Sequence, residues 1–457
     1  MSDHLELARQ LDSFSPGERE DALRQLAGGV QTPALQPDGD VNMHFHSFFS
    51  YNAEGWSPSH IGWASRQAGL YAAGLCDFDV LDGLEEFLQA GELLGLRATV
   101  NLETRAFLPE YASTEINSPG EPGVAYIMGG GYATVPEAGT PQAQTLAAFR
   151  SSSRQRNLDL VARINPHVPD IAVDYEQDVV PLTPSGNATE RHIIRAYVNK
   201  SHEAFARRTF ASAGDRSHDA SAVAAYWAEL LGKPVEDAQK MLGTPAIEEA
   251  ARSRLAKKGG FGYVQPSEDT FPAVDDFVSW VLSCRALPLV TWLDGTTAGE
   301  ADAQAMLDCL TAKGCAGLNI IPDRNWNYKD AEVKALKVGK LRDMVTAANA
   351  MGLPINIGTE MNKAGLPFAD DLSGEVLSEF AESFIRGAQI MVGHSTLLRY
   401  ADLSYVDCDM PLAQKNEFFR AVGAMPPLHS TAAQMLRDNH PTTALGIIEA
   451  ALSRGSW

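Results

Sequence analysis

The sequence predicts an α/β fold built on a parallel sheet covered on both faces, and three observations predict it. From Asp40 onward, short β-rich runs alternate with helical stretches, the rhythm of βαβ units. Several of those runs end in histidine or acidic residues, as strands do when their carboxyl ends carry a site. The 457 residues, 45% apolar and only 21% charged, are enough to bury a large core. A prior of roughly 150 residues per domain allows about three domains, but an α/β barrel of about 250 residues or more is commonly one unit, so one elaborated barrel is allowed.

Residues 1–39 read as an N-terminal helical arm, with Ser15 and Pro16 as cap and first position of its second helix, packed on the outside of the barrel. Residues 40–186 then run through VNMHFH, PSHIGWASRQAG, YAAGLCDFD, GLEEFLQAGELLG and RATVNLE, in which strands and helices alternate. Later apolar runs at IAVDYE, LPLVTWL, AGLNIIP, PINIGTE and AQIMVGH repeat the strand theme. Seven or eight runs make a barrel's complement. Residues 106–142, with Pro119, Pro122 and Gly129-Gly130-Gly131, read as a long loop or hairpin over one end; no GxGxxG or Walker spacing surrounds the glycines, so they read as a turn. Residues 187–262 are helical by period and read as an inserted helical subdomain. Residues 263–400 return to the barrel, and 401–457 add C-terminal helices.

Thirty-seven basic against 58 acidic residues give a formal charge of −21, which repels long nucleic acid and anionic membrane. A small phosphorylated substrate stays open, because a cation and a few arginines override the global field within a few Å. The N-terminus is polar and amphipathic, not a signal peptide, and no run of about 18 apolar residues would span a membrane. Cys76, Cys284, Cys309, Cys315 and Cys408 are odd in number and lack CxxC spacing; they read as reduced thiols of a cytoplasmic protein. Oligomeric state is not readable.

His44 and His46 close the first predicted strand. Residues two apart on a strand point the same way, so both imidazoles face one point. An isolated HxH is also common among core histidines. Here, however, Asp77, Asp79, Glu103, Asp174, Glu176, Asp294 and Glu360 each close a later run, and the carboxyl ends of parallel strands share one mouth.

At this point the motifs resemble the PHP (polymerase and histidinol phosphatase) superfamily. HFHSFFSYNAEGWSP resembles the family's opening HxH, acid-Gly turn and Ser-Pro; LCDFDVLDGLEE resembles its T-D-H-D segment, and NLETR its strand-terminal Gly-x-Glu. TERHIIRAYV and KKGGFGYVQPS are similar to segments flanking the helical insertion of the branch that hydrolyses nucleotides and RNA ends. LPLVTWLDG and INIGTEMN fall where the family has V-L-A-H-P-G and G-S-D-x-H, so the likeness covers residues 40–365 in order. It implies a distorted (β/α)7 TIM-like barrel with a helical insertion and a C-terminal helical extension. Phe78, Trp292 and Tyr126 take the places of family histidines, and Glu360-Met361-Asn362 replaces the closing Asp-x-His.

The resemblance implies a metal position lined by His44, His46, Glu103 and Glu360, a nitrogen and oxygen donor set suited to Zn, Mn or Fe(II). His192 is the candidate ligand of a second ion. The implied activity is metal-dependent hydrolysis, a phosphoester first, with a C–N bond or a catalytically inactive ligand-binding barrel as alternatives. Asp77, Asp294 and His394 are candidate proton shuttles, although His394, at the end of the strand-like IMVGH, reads first as a cap of the following helix and only second as an acid/base or extra ligand. Arg105, Arg191 and Lys363 are candidate substrate-binding cations. The helical insertion and the glycine-bearing loop are expected to cap the mouth.

Overall fold

The computed structural model describes residues 2–29, 39–209 and 217–457, so part of the expected N-terminal arm and of the helical insertion lies outside the described residues. Two compact units divide the chain: residues 1–48, 52–147 and 266–457 form the first, and 49–51 with 148–265 the second.

In the first unit seven strands form one sheet in chain order: β1 (Val41–Phe45), β2 (Ala72–Phe78), β3 (Arg97–Phe107), β4 (Val124–Gly130), β5 (Leu287–Trp292), β6 (Gly317–Ile320) and β7 (Ile355–Ile357). The sheet curls until its two edges meet. Phe45 bridges Glu360 in parallel, with the Glu360 N–H donating to the His44 carbonyl and the His46 N–H to the Glu360 carbonyl, both at 2.9 Å. The expected α/β barrel is therefore present. Helices Pro58–Ala68, Leu84–Leu94, Val274–Ser283, Ala303–Ala312 and Ala331–Ala350 alternate with the strands, and each buries one apolar stripe. Leu11, Leu23 and Leu26 of the N-terminal segment pack on Trp63, Ala90 and Leu94, each buried leucine contributing on the order of 2 kcal/mol. Among the described residues no helix is long and apolar enough to cross a membrane.

The sheet is not wholly parallel. β4, inside the stretch read as a loop or hairpin, runs antiparallel to both β3 and β5. The reason is the connection 108–123, which contains a 3-10 turn at Pro109–Tyr111 and no crossover helix, so the chain returns beside β3 in the opposite sense. Reversal carries the glycines to the far end: Gly129 and Gly130 pair with Pro288 and Leu287 at the start of β5. They cannot cap the mouth, contrary to expectation.

A second correction concerns AQIMVGH, which is helix rather than strand. It belongs to Ala381–Ala401, buried along most of its length, and an apolar run enclosed on all sides carries no period to tell helix from strand. This helix closes the barrel at the amino ends of its strands. A Cβ on Gly387 would fall 1.9 Å from the Ile355 carbonyl oxygen, and the Ser395 and Thr99 hydroxyls bond at 2.8 Å. His394 is fully buried here, its Nδ1 accepting the Tyr405 N–H, and Gly131 (φ 77°) leaves it room, since a Cβ there would lie 2.3 Å from the ring. His394 is thus at the opposite end from the strand carboxyl termini, and the structure does not bring it together with His44, His46, Glu103 and Glu360.

The second unit is helical, built from most of Pro141–Ile164 with Glu190–Thr209, Ser217–Leu231, Val235–Met241 and Pro245–Leu255 around Ile164, Tyr197, Trp227 and Leu255. IAVDYE, read as a strand, is a 3-10 turn at Pro169–Ile171 followed by a π turn at Tyr175–Val179. Its period of two is real, because Ile171, Val173 and Tyr175 enter the core, but Asp174 accepts the Gln177 N–H and turns the chain.

Burial lowers the pKa of His394 from 6.5 to about 3, so the unfolded chain takes up this proton first. The stability it contributes is complete above pH 6.5 and is lost as pH falls toward 3. We expect the difference in urea unfolding free energy between wild type and His394→Gln to shift by about 1.4 kcal/mol per pH unit below 6.5, against wild type. Parallel pH curves would show that His394 does not titrate on unfolding.

Candidate metal centre

Alternation along the strands decides which side chains share the barrel interior. Asn42, His44 and His46 follow one another on one face of β1 and its exit, and Asn101, Glu103 and Arg105 do so on β3. Asn319 of β6 and Asn356 of β7 pair in register. The four asparagines form a buried polar floor. Asn101 donates to the Met43 carbonyl at 2.8 Å, Asn356 to Asn319 Oδ1 at 2.8 Å, and Asn42 to the Thr359 hydroxyl at 2.7 Å while accepting the His44 N–H at 3.0 Å.

Above this floor, one donor atom from each of His44, His46, Glu103 and Glu360 lies within 4.8 Å of all the others. Glu103 Oε2 is 3.6 Å from His44 Nε2 and 3.5 Å from His46 Nε2. All four residues are buried, and His44 Nδ1 and Nε2 and Glu103 Oε2 make no hydrogen bond, an expensive arrangement for polar atoms away from water. Ligands of a tetrahedral cation bonded at about 2.1 Å lie roughly 3.4 Å apart, so the most widely separated donors would close up by about 1 Å around one ion. Two imidazole nitrogens and two carboxylate oxygens fit a divalent transition cation.

The electrostatics favour positive charge at this point. Burial opposes protonation of His44, but Glu103, with Glu360 and the Asn319 amide, outweighs it and raises the His44 pKa. Burial likewise pushes Glu103 up, and the two imidazoles more than reverse it, holding its carboxyl well below the usual range. Each partner stabilises the charged form of the other.

Glu360 follows β7 with φ of 65° and Met361 with 52°, left-handed conformations that cost about 1–2 kcal/mol each for residues other than glycine. The two closing hydrogen bonds to β1 hold them there. Gly358 permits the approach, since a Cβ would lie 2.4 Å from both Asn42 Oδ1 and His44 Cβ. Phe78, on β2, stacks on His46 at 4.8 Å with 19° between planes, so an aromatic wall occupies one of the positions given to histidine by the resemblance. Trp292 is buried on the face of β5 opposite Thr291.

The other anticipated residues fall elsewhere. Asp77 alternates with Phe78 and faces away from it; its oxygens accept the Ser47 N–H at 2.8 Å and the Ser47 hydroxyl at 2.7 Å. It fixes the exit of β1 rather than facing the mouth, which corrects its reading as a proton shuttle. Asp294 accepts from Lys337 at 2.7 Å and from the Thr296 N–H; burial would raise its pKa, and these partners lower it instead. An ionised, ion-paired carboxylate is a poor proton carrier. Arg105 pairs with Glu121 at 3.1 Å and lies over the Phe271 ring. Lys363 is exposed. Arg191 and His192 belong to the second unit, where Arg191 pairs with Glu249 at 2.7 Å and His192, buried, accepts the Thr189 N–H at 3.1 Å. Burial, aided by Arg195, lowers the His192 pKa to about 3.

One residue escaped the sequence reading. Arg324, on the short helix Asp323–Trp326 after β6, donates from Nη2 to Glu360 Oε2 at 3.0 Å. Its position just past the carboxyl end of AGLNIIP was the available signal.

We expect Gly358→Ala to lower the urea midpoint and weaken cation binding by about fivefold or more, because overpacking at the seam costs roughly 1–3 kcal/mol and displaces Glu360 from His44. Unchanged cation affinity in a folded Gly358→Ala protein would show that the seam does not position the donors.

No family model matches the chain, and no curated protein sequence does. Among solved structures it is similar to a candidate metal-dependent phosphoesterase from Bifidobacterium adolescentis, at 16% identity and a TM-score of 0.44 over 78% of this chain and 98% of that one. It is also similar to an amidohydrolase from Chromobacterium violaceum with bound sulfate and no metal, at 14% identity and a TM-score of 0.45 over 75% and 96%.

Proposed function

We propose that the protein is a hydrolase of small molecules that works with one divalent transition-metal ion, Zn, Mn or Fe(II), held by His44, His46, Glu103 and Glu360. The observation that carries this reading is the convergence of four buried donors, three of whose atoms have no hydrogen bond, at the carboxyl ends of the barrel strands. Bound there, such an ion supplies a Lewis acid and lowers the pKa of water toward about 7.

The chain's own residues define the rest. Glu103 stays ionised between two imidazoles and is ready to ligate. Phe78, stacked on His46 and 6.1 Å from the Tyr126 ring, keeps one side of the group apolar and excludes water from it. Phe78 and Trp292 offer no donor, which limits the proposal to one ion. The −21 charge favours a small substrate over long nucleic acid.

For the bond cleaved, a phosphoester comes first, supported by the opening motif HFHSFF, by NLETR and by the guanidinium of Arg324 beside Glu360. A C–N bond is the second reading. It is favoured by the pairing of Arg105 with Glu121, which engages a cation that a phosphate monoester would use.

Elemental analysis after dialysis against Zn or Mn is expected to give about one equivalent of metal in wild type and little in His44→Ala or Glu360→Ala, since structural affinity for such ions depends on the full ligand set. A panel of phosphate monoesters, diesters and amides, assayed with the same ions, then assigns the bond. Metal content untouched by both substitutions would remove the proposed centre, and a stoichiometric metal with no turnover of any class would favour an inactive, ligand-binding barrel.

A further inference from the structure

The backbone that carries Arg324 is anchored on both neighbours that follow it, although the helix has only four residues. Asn325 donates to the Leu293 carbonyl at 2.8 Å and Trp326 donates to Asp370 at 3.0 Å, which ties both neighbours down. The Arg324 side chain is 44% exposed, whereas that of Glu360 is only 10% exposed. One edge of the guanidinium therefore rests on Glu360 and the remainder reaches solvent at the mouth.

The charges around it do not balance once a metal is considered. Glu103, Glu360 and Arg324 sum to −1 with both imidazoles neutral, and a divalent cation takes that sum to +1. The same cation would draw on the single negative charge of Glu360 that Arg324 now pairs with, so the two positive charges oppose each other there whichever carboxylate oxygen each uses. An anion at the mouth restores neutrality, and the planar guanidinium fork matches a carboxylate or phosphate with two parallel hydrogen bonds.

We propose that Arg324 is an exchangeable counterion: it competes with the cation for Glu360, and once displaced it binds the anionic group, carboxylate or phosphate, of the substrate. The proposal rests on the metal-dependent reading above and extends it to the substrate's charge. Arg105 and Lys363 are less suited, the first being paired with Glu121 and the second lying exposed beyond Asn362.

Calorimetric titration of the full chain with Zn, then with inorganic phosphate or acetate, tests the exchange. One equivalent of Zn should tighten binding of at least one of these anions in wild type by about tenfold or more, the worth of a charge-assisted hydrogen bond. Arg324→Gln should bind Zn severalfold more tightly, having lost the competitor, and should lose most of that anion affinity. Arg342→Gln, in an exposed pair with Glu379, should change neither. Should Arg324→Gln fail to fold, Arg324→Lys keeps the charge without the fork and should bind the anion severalfold more weakly at similar Zn affinity. Whichever anion binds more tightly identifies the group recognised. Anion affinity indifferent to Arg324, with Zn still bound, overturns the counterion and leaves the metal centre standing. Weaker Zn binding in folded Arg324→Gln also overturns it, because Arg324 would then support the ligands rather than compete with the ion. A wild type that binds no Zn overturns both.

Discussion

Two backbone hydrogen bonds, from the Glu360 N–H to the His44 carbonyl and from the His46 N–H to the Glu360 carbonyl, control what the barrel can do. They close the sheet between its first and last strands, so they satisfy peptide groups that a buried seam would otherwise leave unpaired. The same bonds hold Glu360 in a left-handed conformation and bring its carboxylate to the two imidazoles of β1. Gly358 makes the approach possible, because any side chain there would meet Asn42 and His44. Barrel closure and assembly of the candidate centre are thus one event.

The interior beneath the centre is polar, which is unusual for a barrel whose middle is commonly filled by branched apolar side chains. Asn42, Asn101, Asn319 and Asn356 bond to one another's strands and position the donors from below. These hydrogen bonds offset part of their cost, since Asn319 Nδ2 and Asn356 Oδ1 lack a hydrogen bond, as do atoms of His44 and Glu103 in the group above them. A buried group that concentrates two carboxylates and two imidazoles is stabilised by positive charge, and the opposed pKa shifts of His44 and Glu103 record that demand.

A shared mouth lined by His44, His46 and strand-end acids was legible in the sequence from two simple rules, that residues two apart on a strand share a face and that parallel strands present their carboxyl ends together, and the family resemblance picked Glu103 and Glu360 from those acids. Both rules hold for His44, His46 and Glu103. They misplace Asp77, which lies one residue out of phase and faces Ser47 instead. His394 was lost for another reason, since an apolar run buried on every side looks alike in helix and strand. The direction of β4 depends on a connection without a crossover helix, which composition marks only as a loop. Arg324 carried no periodic signal at all, because four residues are too few to show one. Sequence reading was therefore strongest for side chains fixed by strand geometry and weakest for those fixed by packing at the barrel's ends.

X-ray absorption at the Zn edge, on protein loaded with one equivalent, tests the central claim most directly. The account expects about two imidazole nitrogens and carboxylate oxygens at roughly 2.0–2.2 Å, with the imidazole signature diminished in His44→Ala. A spectrum without imidazole scattering, or one that His44→Ala leaves unchanged, would contradict it.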